Sequence, residues 1–519
     1  MSMAFSFENL LSAGQILFLC FLVCAFLTGK AIWQHSFCKL PPGPWGIPVI
    51  GASFRLGENP HLDLTKMAQK YGDVFSLMLG NRLVVVLNGV DAIQEAMVKH
   101  SKALAGRPQL HTFKLANPGG NSLTLTDYSP QWRLSRKISV AAIQNFAKNT
   151  DALEEKLLQE SQRMVHCFKL KKDKPVDALI TLKLATANII LGALFSINGS
   201  YDDEGLRGLL QLADGYSDAV NGSSHVDFLP LLKYLPNKAL SKLEFLLKAF
   251  NDVTTKMFLE NKQTYTEGQV RNIADSFISV VEKETMKETE NRPAGEDTLN
   301  MAPLLSDEQI VVAMMDLFGA GFETTSATIY WGLAYLMKYP DIQRQLHEEL
   351  DHVIDRQRLP TLADITSLPL LQATVYELLR VTSLAPLSVP RSTTTETKIR
   401  DFTIPKDTMV FVNLWSVHRD PTTWNDPDVF NPRRFLNGAG EVLDPKSLGG
   451  FLPFSMGRRK CPGEPLALKS LSVFLAALLH SFRFSQEGLP AEYQGVDLQG
   501  KCGLTLAPKP FYVRIEERL

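Results

Sequence analysis

FLPFSMGRRKCPGEPLAL occupies residues 451–468. Cys461 follows a loop of glycines and basic residues and precedes an apolar run, residues 464–480, with helical character. Gly457 and Gly463 permit tight turns and close approach of backbone to a ligand. Arg458, Arg459 and Lys460 favour a thiolate, as does a helix N-terminus just beyond the sulfur. The bland alternative is a plain buried thiol, the usual fate of a single cysteine.

The rest of the chain bounds the choice. It has 519 residues, 45% hydrophobic and 21% charged, with net charge -1. Near-neutral charge gives no general argument for nucleic acid, so any electrostatic partner must use a local patch. Six scattered cysteines without a CxxC argue against a disulfide framework and for a reduced, cytosol-facing body. Residues 10–29, LLSAGQILFLCFLVCAFLTG, are uncharged and long enough to span a bilayer. Lys30 and Lys39 follow the span and only Glu8 precedes it, which places the body in the cytosol. No basic n-region precedes the run, so it reads as a retained anchor and not as a cleaved signal. The sequons at Asn198 and Asn221 then face the cytosol and stay unmodified.

Residues 40–51, LPPGPWGIPVIG, hold four prolines and read as a semi-rigid extended hinge. VFSLMLGNRLVVVLNG, residues 74–89, breaks at Gly80-Asn81 and predicts a hairpin. Residues 90–390 are mainly helical, with breaks at 117–122 and 221–230 and a solvated charged loop at 282–297. Short β-like runs return at 391–415, and nothing in 41–519 looks like an interdomain linker. The expectation is one large, mainly α domain over 52–519 with a minor β part, behind an anchor region (1–39) and the hinge.

Within that body, Ser306 with Gln309 forms a capping box that starts a long helix over 306–339. Its centre, Gly319-Ala320-Gly321 and then Glu323-Thr324-Thr325, breaks helix rules. Two glycines cost roughly 1 kcal/mol each there. Two readings stand level. One is close helix packing with threonine bonding back to a carbonyl; the other is a widened turn that admits a flat ligand beside a hydroxyl and a carboxyl. Glu377 and Arg380 share a helix face in an apolar stretch, and Arg434 in FNPRRF is a third member for that cluster. Trp132 and Arg136, four apart, are two donors suited to an anion, or an ordinary amphipathic helix start.

Together these residues resemble the cytochrome P-450 superfamily of haem-thiolate monooxygenases. FSMGRRKCPG (454–463) carries its F-x-x-G-x-R-x-C-x-G signature, and AGFETT (320–325), ExxR (377–380), WxxxR (132–136) and the proline hinge follow suit. PRRF at 432–435 stands where PERF is commoner. The resemblance implies the P-450 fold behind one transmembrane helix, with haem b as cofactor and O2 and NADPH-derived electrons as co-substrates. It implies Cys461 as axial thiolate to the haem iron, within a loop whose matched Phe454 and Gly463 also border the haem. Trp132, Arg136, Arg391 and Arg459 match propionate-binding positions. Thr324 matches the hydroxyl beside dioxygen, and Glu323 the neighbouring acid in proton delivery. Glu377, Arg380 and Arg434 match structural positions.

The implied partners are NADPH-cytochrome P-450 reductase, with cytochrome b5 as a second donor, membrane lipid and a small apolar substrate, but no nucleic acid. Arg133, Lys137, Arg458 and Lys460 offer a basic docking patch. The implied location is the endoplasmic reticulum membrane, crossed once. MDLFGAGFETT, NSLTLTDYSPQW and CGLTL are most similar to the first family, the aryl-hydrocarbon hydroxylases; DLFGAG and DFLPLLKYLPN also resemble steroid 17α-hydroxylase/lyase. Leu125 stands about where the first family often has an aromatic residue. Phe228, Leu125, Asp316, Gly319, Ala320, Leu387 and Leu504 match substrate-contact segments. A haem-thiolate isomerase and a non-catalytic haem sensor are the remaining alternatives.

Overall fold

The structure, a computed structural model, describes residues 39–290 and 305–518 apart from Pro48, Pro118, Asp173 and Ser224, together with Phe18, Phe21 and Leu22. The span expected at 10–29 otherwise lies outside those residues. Among the described residues no helix is long and apolar enough to cross a membrane.

Eleven described helices reach ten residues or more: α1 (Pro60–Tyr71), α2 (Pro130–Lys148), α3 (Thr150–Lys169), α4 (Leu179–Phe195), α5 (Glu204–Ser223), α6 (Lys238–Gln263), α7 (Ile273–Glu290), α8 (Asp307–Lys338), α9 (Pro340–Val353), α10 (Pro369–Thr382) and α11 (Glu464–Ser481). A four-stranded sheet of β1 (Val74–Leu79), β2 (Arg82–Leu87), β3 (Arg391–Ser392) and β4 (Met409–Val412) runs in the order β1-β2-β4-β3. The fold is therefore mainly α with a minor β part.

Local chemistry explains the sheet. Gly80 adopts φ +58° in the two-residue turn, and the register Val74↔Leu87 to Leu79↔Arg82 follows from it. Along β2, Val84 and Val86 pack into one apolar cluster while Val85 and Leu87 pack into another. A strand covered on both faces needs the continuous apolar run this one has. Parallel pairing of β2 with β4 and antiparallel pairing of β4 with β3 then fix Arg391 opposite Val410. The hinge docks on the sheet edge, where the Pro42 carbonyl accepts the Ser76 N–H (2.8 Å) and the Pro41 carbonyl accepts the Ser76 hydroxyl (2.7 Å).

Two helix boundaries differ from expectation. α7 carries the charged stretch to Glu290, because Glu, Lys and Met are good helix formers and no proline intervenes before Pro293. α5 runs to Ser223, His225–Phe228 forms a further helical turn and Pro230–Tyr234 a 3-10 turn, so most of the break expected at 221–230 is helical.

α8 crosses the core, capped at Ser306 as expected, with the Gln309 side chain accepting the Ser306 N–H (2.8 Å). It packs on α4, which is buried almost all round. A Cβ at Gly321 would stand 2.7 Å from Ile190 Cδ1 of α4, whereas at Gly319 it would meet nothing within 4 Å. The two glycines therefore do different work: Gly321 allows close helix packing, and Gly319 leaves open space. α8 is α-helical throughout, with no widened turn. Thr324 and Thr325 hydroxyls bond back to the Ala320 and Gly321 carbonyls (2.7 and 2.8 Å).

Candidate active site

The 451–463 loop is built around Cys461. Gly457 has φ +74°, and a Cβ there would lie 2.2 Å from the Met97 carbonyl oxygen, so only glycine fits. The Cys461 N–H donates to the Phe454 carbonyl (2.9 Å), closing the loop. Gly463 is the N-cap of α11, and the N–H groups of Gly463 and Glu464 are directed at the sulfur. Cys461 has exposed surface although protein surrounds it on nearly every side, so it lies on the wall of an internal cleft. Burial pushes the thiol up, opposed by those two N–H groups and by the Arg136 guanidinium.

The loop's own cations do not tune the sulfur as expected. Lys460 pairs with Glu464, and Arg458 donates to the Tyr128 hydroxyl (3.1 Å). Arg459 donates to the carbonyls of Ala105 (2.8 Å), Leu123 (3.3 Å) and Thr126 (2.7 Å), and its guanidinium lies 3.7 Å from the Trp132 ring centroid. These short-range pairings turn the charges away, and Arg136 from α2 takes their place, also donating to the Lys460 carbonyl.

Beside the sulfur four guanidiniums crowd together: Arg107, Arg136, Arg391 and Arg459. Burial and mutual repulsion lower Arg391 to about 10 and Arg459 to about 9, so both stay charged at neutral pH. Arg391 donates to Ser455 (3.2 Å), yet its buried Nε has no partner. Repelling buried cations with an orphaned donor require an anion. Two carboxylates next to a deep, accessible sulfur match that requirement, and haem carries both propionates and an iron for the sulfur. Trp132 directs its indole N–H to the Leu123 carbonyl (2.9 Å), so in this arrangement it holds its own loop and stacks under Arg459.

Arg107 escaped the sequence reading. It donates to the carbonyls of Thr124 (2.7 Å), Val389 (3.0 Å) and Pro390 (2.8 Å), tying the loop before α2 to the segment that carries Arg391. LAGRP around it has no feature that marks it beforehand.

On α8, Ala320 is exposed and Thr324 partly so, while Glu323 shares its surroundings with Asp316 and the Tyr216 hydroxyl. Burial and those two carboxylates hold Tyr216 protonated, well above its ordinary range. Asp316 accepts from the Ser122 hydroxyl (2.7 Å) and Thr124 N–H (3.1 Å). Leu125 belongs to the same loop, its N–H donated to Ser122 Oγ (2.8 Å). Phe228 and Leu387 each pack against the sheet cluster, and Leu504 is exposed near the chain's end.

Behind the loop, Arg380 donates twice to Glu377 (2.7 Å each), with neither side chain exposed. Arg434 adds a bond to Glu377 (3.2 Å), as expected. Arg380 also donates to the His418 carbonyl (2.7 Å). His418, unmarked in the sequence, accepts the Leu452 N–H at Nε2 (3.0 Å), so Nδ1 carries hydrogen toward Ser383 Oγ (2.7 Å). The ion cluster thus reaches the first turn of the cysteine loop through one imidazole.

Burial, with Arg380 and Arg419 nearby, lowers His418 to about 3. The unfolded chain takes up this proton near 6.5 and the folded chain only near 3, so stability is full above 6.5 and declines as pH falls through that window. We expect an acid-unfolding slope shallower by up to about 1.4 kcal/mol per pH unit in His418→Gln than in the parent, read by circular dichroism between pH 6.5 and 4.

A mainly helical body that sets an N–H-flanked cysteine, open to an internal cleft, beside a cationic cluster has the site of a haem-thiolate protein. Comparison with known proteins agrees: residues 41–515 match the family model described as Cytochrome P450. The chain is 36% identical over 481 residues to "Cytochrome P450 1A3" of Oncorhynchus mykiss, covering 91% of this chain and 89% of the other. Identity is 36% over 483 residues to "Cytochrome P450 1A1" of Rattus norvegicus (91% and 89%), and 35% over 508 residues to that of Canis lupus familiaris (96% and 94%). The chain belongs to the cytochrome P450 family. It is accordingly a haem-dependent monooxygenase that uses O2 and NADPH-derived electrons.

Proposed function

We propose that this enzyme inserts one oxygen atom of O2 into small apolar substrates, chiefly aromatic xenobiotics, with oestrogens or fatty acids as endogenous counterparts. The observation that carries the reading is the pairing of Cys461, under two N–H groups, with a crowded guanidinium cluster in which the buried Arg391 Nε has no partner. Cys461 would hold the haem iron, Arg136 and Arg391 the propionates, and Arg459 and Trp132 the loop around them. Haem bound there supplies reductive O2 activation with two electrons and two protons per turnover.

The chain's own residues do the rest. Thr324 spends its hydroxyl hydrogen on the Ala320 carbonyl, which leaves its oxygen as an acceptor for a water or a proton donor. Glu323, next in sequence and near the protonated Tyr216, is the acid that relays protons. Gly319 and Ala320 keep the wall of α8 low where a flat substrate would lie. Phe228, Leu387, Leu125 and Leu504 would supply apolar contact.

We place the enzyme on the endoplasmic reticulum membrane, anchored by residues 10–29 with the hinge at 40–51. Supporting this, Trp45, Ile47, Val49, Ile50 and Phe54 are exposed, as are Tyr234 and Leu235, and Gly80 in the β1–β2 turn donates to the Ile50 carbonyl (3.0 Å) and lies against the Phe228 carbonyl. Arg133 and Lys137 on α2, with Arg458, leave exposed cations on the cysteine side for NADPH-cytochrome P-450 reductase or cytochrome b5. A panel of ethoxyresorufin, oestradiol and progesterone tests the substrate class. Reductase-dependent turnover of the first two is expected. Preference for progesterone would favour the steroid 17α-hydroxylase/lyase reading, and product without reductase would favour the isomerase reading.

A further inference from the structure

An acid that relays protons must itself be resupplied from solvent, and polar groups lead outward from Glu323. Asp316 and Glu323, seven residues apart, share one face of α8, separated by about 10 Å of helical rise. The Tyr216 hydroxyl shares its surroundings with both carboxylates. Asp316 and Tyr216 each retain accessible surface although protein surrounds them, so that surface belongs to the interior cleft. At the outer end, a polar crevice lies beside the 120–126 loop, walled by Asn121, Ser122, Thr126, Gln131, Ser135 and Gln309. Gly120 and Gln131 at its rim are exposed, and its volume of about 10 Å³ admits one water. Ser122 joins the crevice to the cleft. Its hydroxyl donates to Asp316 Oδ2 (2.7 Å) and accepts the Leu125 N–H (2.8 Å). The Thr124 N–H is shared between Ser122 Oγ and Asp316 Oδ2 (3.1 Å each), so the second lone pair of the serine is only partly used. A water in the crevice can therefore donate to Ser122 Oγ.

We propose that Ser122, Asp316 and the Tyr216 hydroxyl form a relay that carries protons from this crevice to Glu323, and so to the oxygen beside Thr324. This rests on the monooxygenase reading above. Each turnover takes two electrons from NADPH and two protons, and yields one water besides the oxygenated product. At each hop one oxygen gains a hydrogen as it passes its own inward, so every relay group ends as it began. Single waters in the cleft complete the hops from Asp316 to Tyr216 and from Tyr216 to Glu323. Burial raises the Asp316 carboxyl to about 6, which suits a group that takes and gives a proton near neutral pH. Burial and the two carboxylates hold Tyr216 protonated, so its hydroxyl always has a hydrogen to pass on. Arg107, Tyr216 and Glu323 are the ionisable groups around Asp316, and Arg107 is spent on carbonyls.

The test uses full-length holoenzyme with saturating reductase, NADPH and ethoxyresorufin, a substrate that has no hydrogen-bond donor for these groups to recognise. Product formation by the parent should slow in D2O along a curve as the deuterium fraction rises, because several hydrogens move in one relay. A straight line, or no change, would overturn the proposal. Tyr216→Phe keeps the ring and removes only the hydroxyl; Ser122→Ala removes the first donor. Each should lower kcat at least about tenfold and enlarge the D2O effect, with KM and the 450 nm carbon-monoxide band as in the parent. Ser122→Thr, which restores a hydroxyl, should recover most of the rate. Parental kcat in either deletion variant would sink the relay. So would a raised KM at parental kcat, which would reduce these groups to a lining of the cleft. If Ser122→Ala loads no haem, Tyr216→Phe and the parent's D2O curve decide. A parent without the 450 nm band would instead reject the haem-thiolate reading itself.

Discussion

Glu377→Ala is expected to yield little haem-loaded protein, with a loss of about 3–5 kcal/mol of stability. That is a large share of the roughly 5–15 kcal/mol that holds most domains folded. The cost arises because Arg380 has no exposed side-chain surface and would lose both of its bonds to the carboxylate. Arg434 and the Asn431 N–H, 3.2 and 2.8 Å from Glu377 Oε1, would lose the same acceptor. The damage would not stay local. Arg380 holds the His418 carbonyl, and His418 holds the Leu452 N–H at the root of the cysteine loop. Glu377→Gln keeps shape and one acceptor oxygen, so it should fall between. Asp341→Ala, which breaks an ion pair whose side chains are 66% and 83% exposed, should change stability by less than about 1 kcal/mol. Thermal melting and the 450 nm band per mole of protein are the measurements. A Glu377→Ala enzyme with parental melting and haem content would show that the cluster is not structural.

The two halves of the site were unequally legible in the sequence. What could be read was local: the glycines around Cys461, the capping box at Ser306, and Glu377 with Arg380 three residues on. Each is fixed by spacing within one turn or loop, so the chain itself displays it. Arg107, His418 and Tyr216 act across long separations; Arg107 meets carbonyls 282 and 283 residues away. Nothing in their neighbours announces such a meeting. Charge was misassigned for the same reason: Arg458, Arg459 and Lys460 sit next to Cys461 in sequence, but they are engaged by Tyr128, backbone carbonyls and Glu464. The cation that reaches the sulfur comes from another helix. The Gly319-Ala320-Gly321 segment shows a middle case. Sequence offered packing or a widened turn; the structure shows close packing at Gly321 and no widened turn, Gly319 bordering open space within an unbroken helix.

Cys461→Ala is expected to abolish the reduced carbon-monoxide band near 450 nm and to lower NADPH-dependent oxygenation by at least about a thousandfold, or roughly 4 kcal/mol in the barrier. Two other described cysteines provide the contrast. Cys167 and Cys502 are partly buried thiols, each raised by burial, Cys502 to about 11. Neither has backbone N–H groups directed at its sulfur or the Arg136 charge nearby. Cys167→Ala and Cys502→Ala should therefore keep both the band and turnover. Cys461→Ser tests whether the sulfur itself matters: the Gly463 and Glu464 N–H groups remain, but a harder, less electron-donating oxygen replaces the thiolate. Haem binding with a shifted band and no oxygenation is the expected result, since the guanidinium cluster would still hold the propionates while the push on O–O cleavage would be lost. A 450 nm band that survives Cys461→Ala would move the iron ligand elsewhere and leave the converging N–H groups without a purpose.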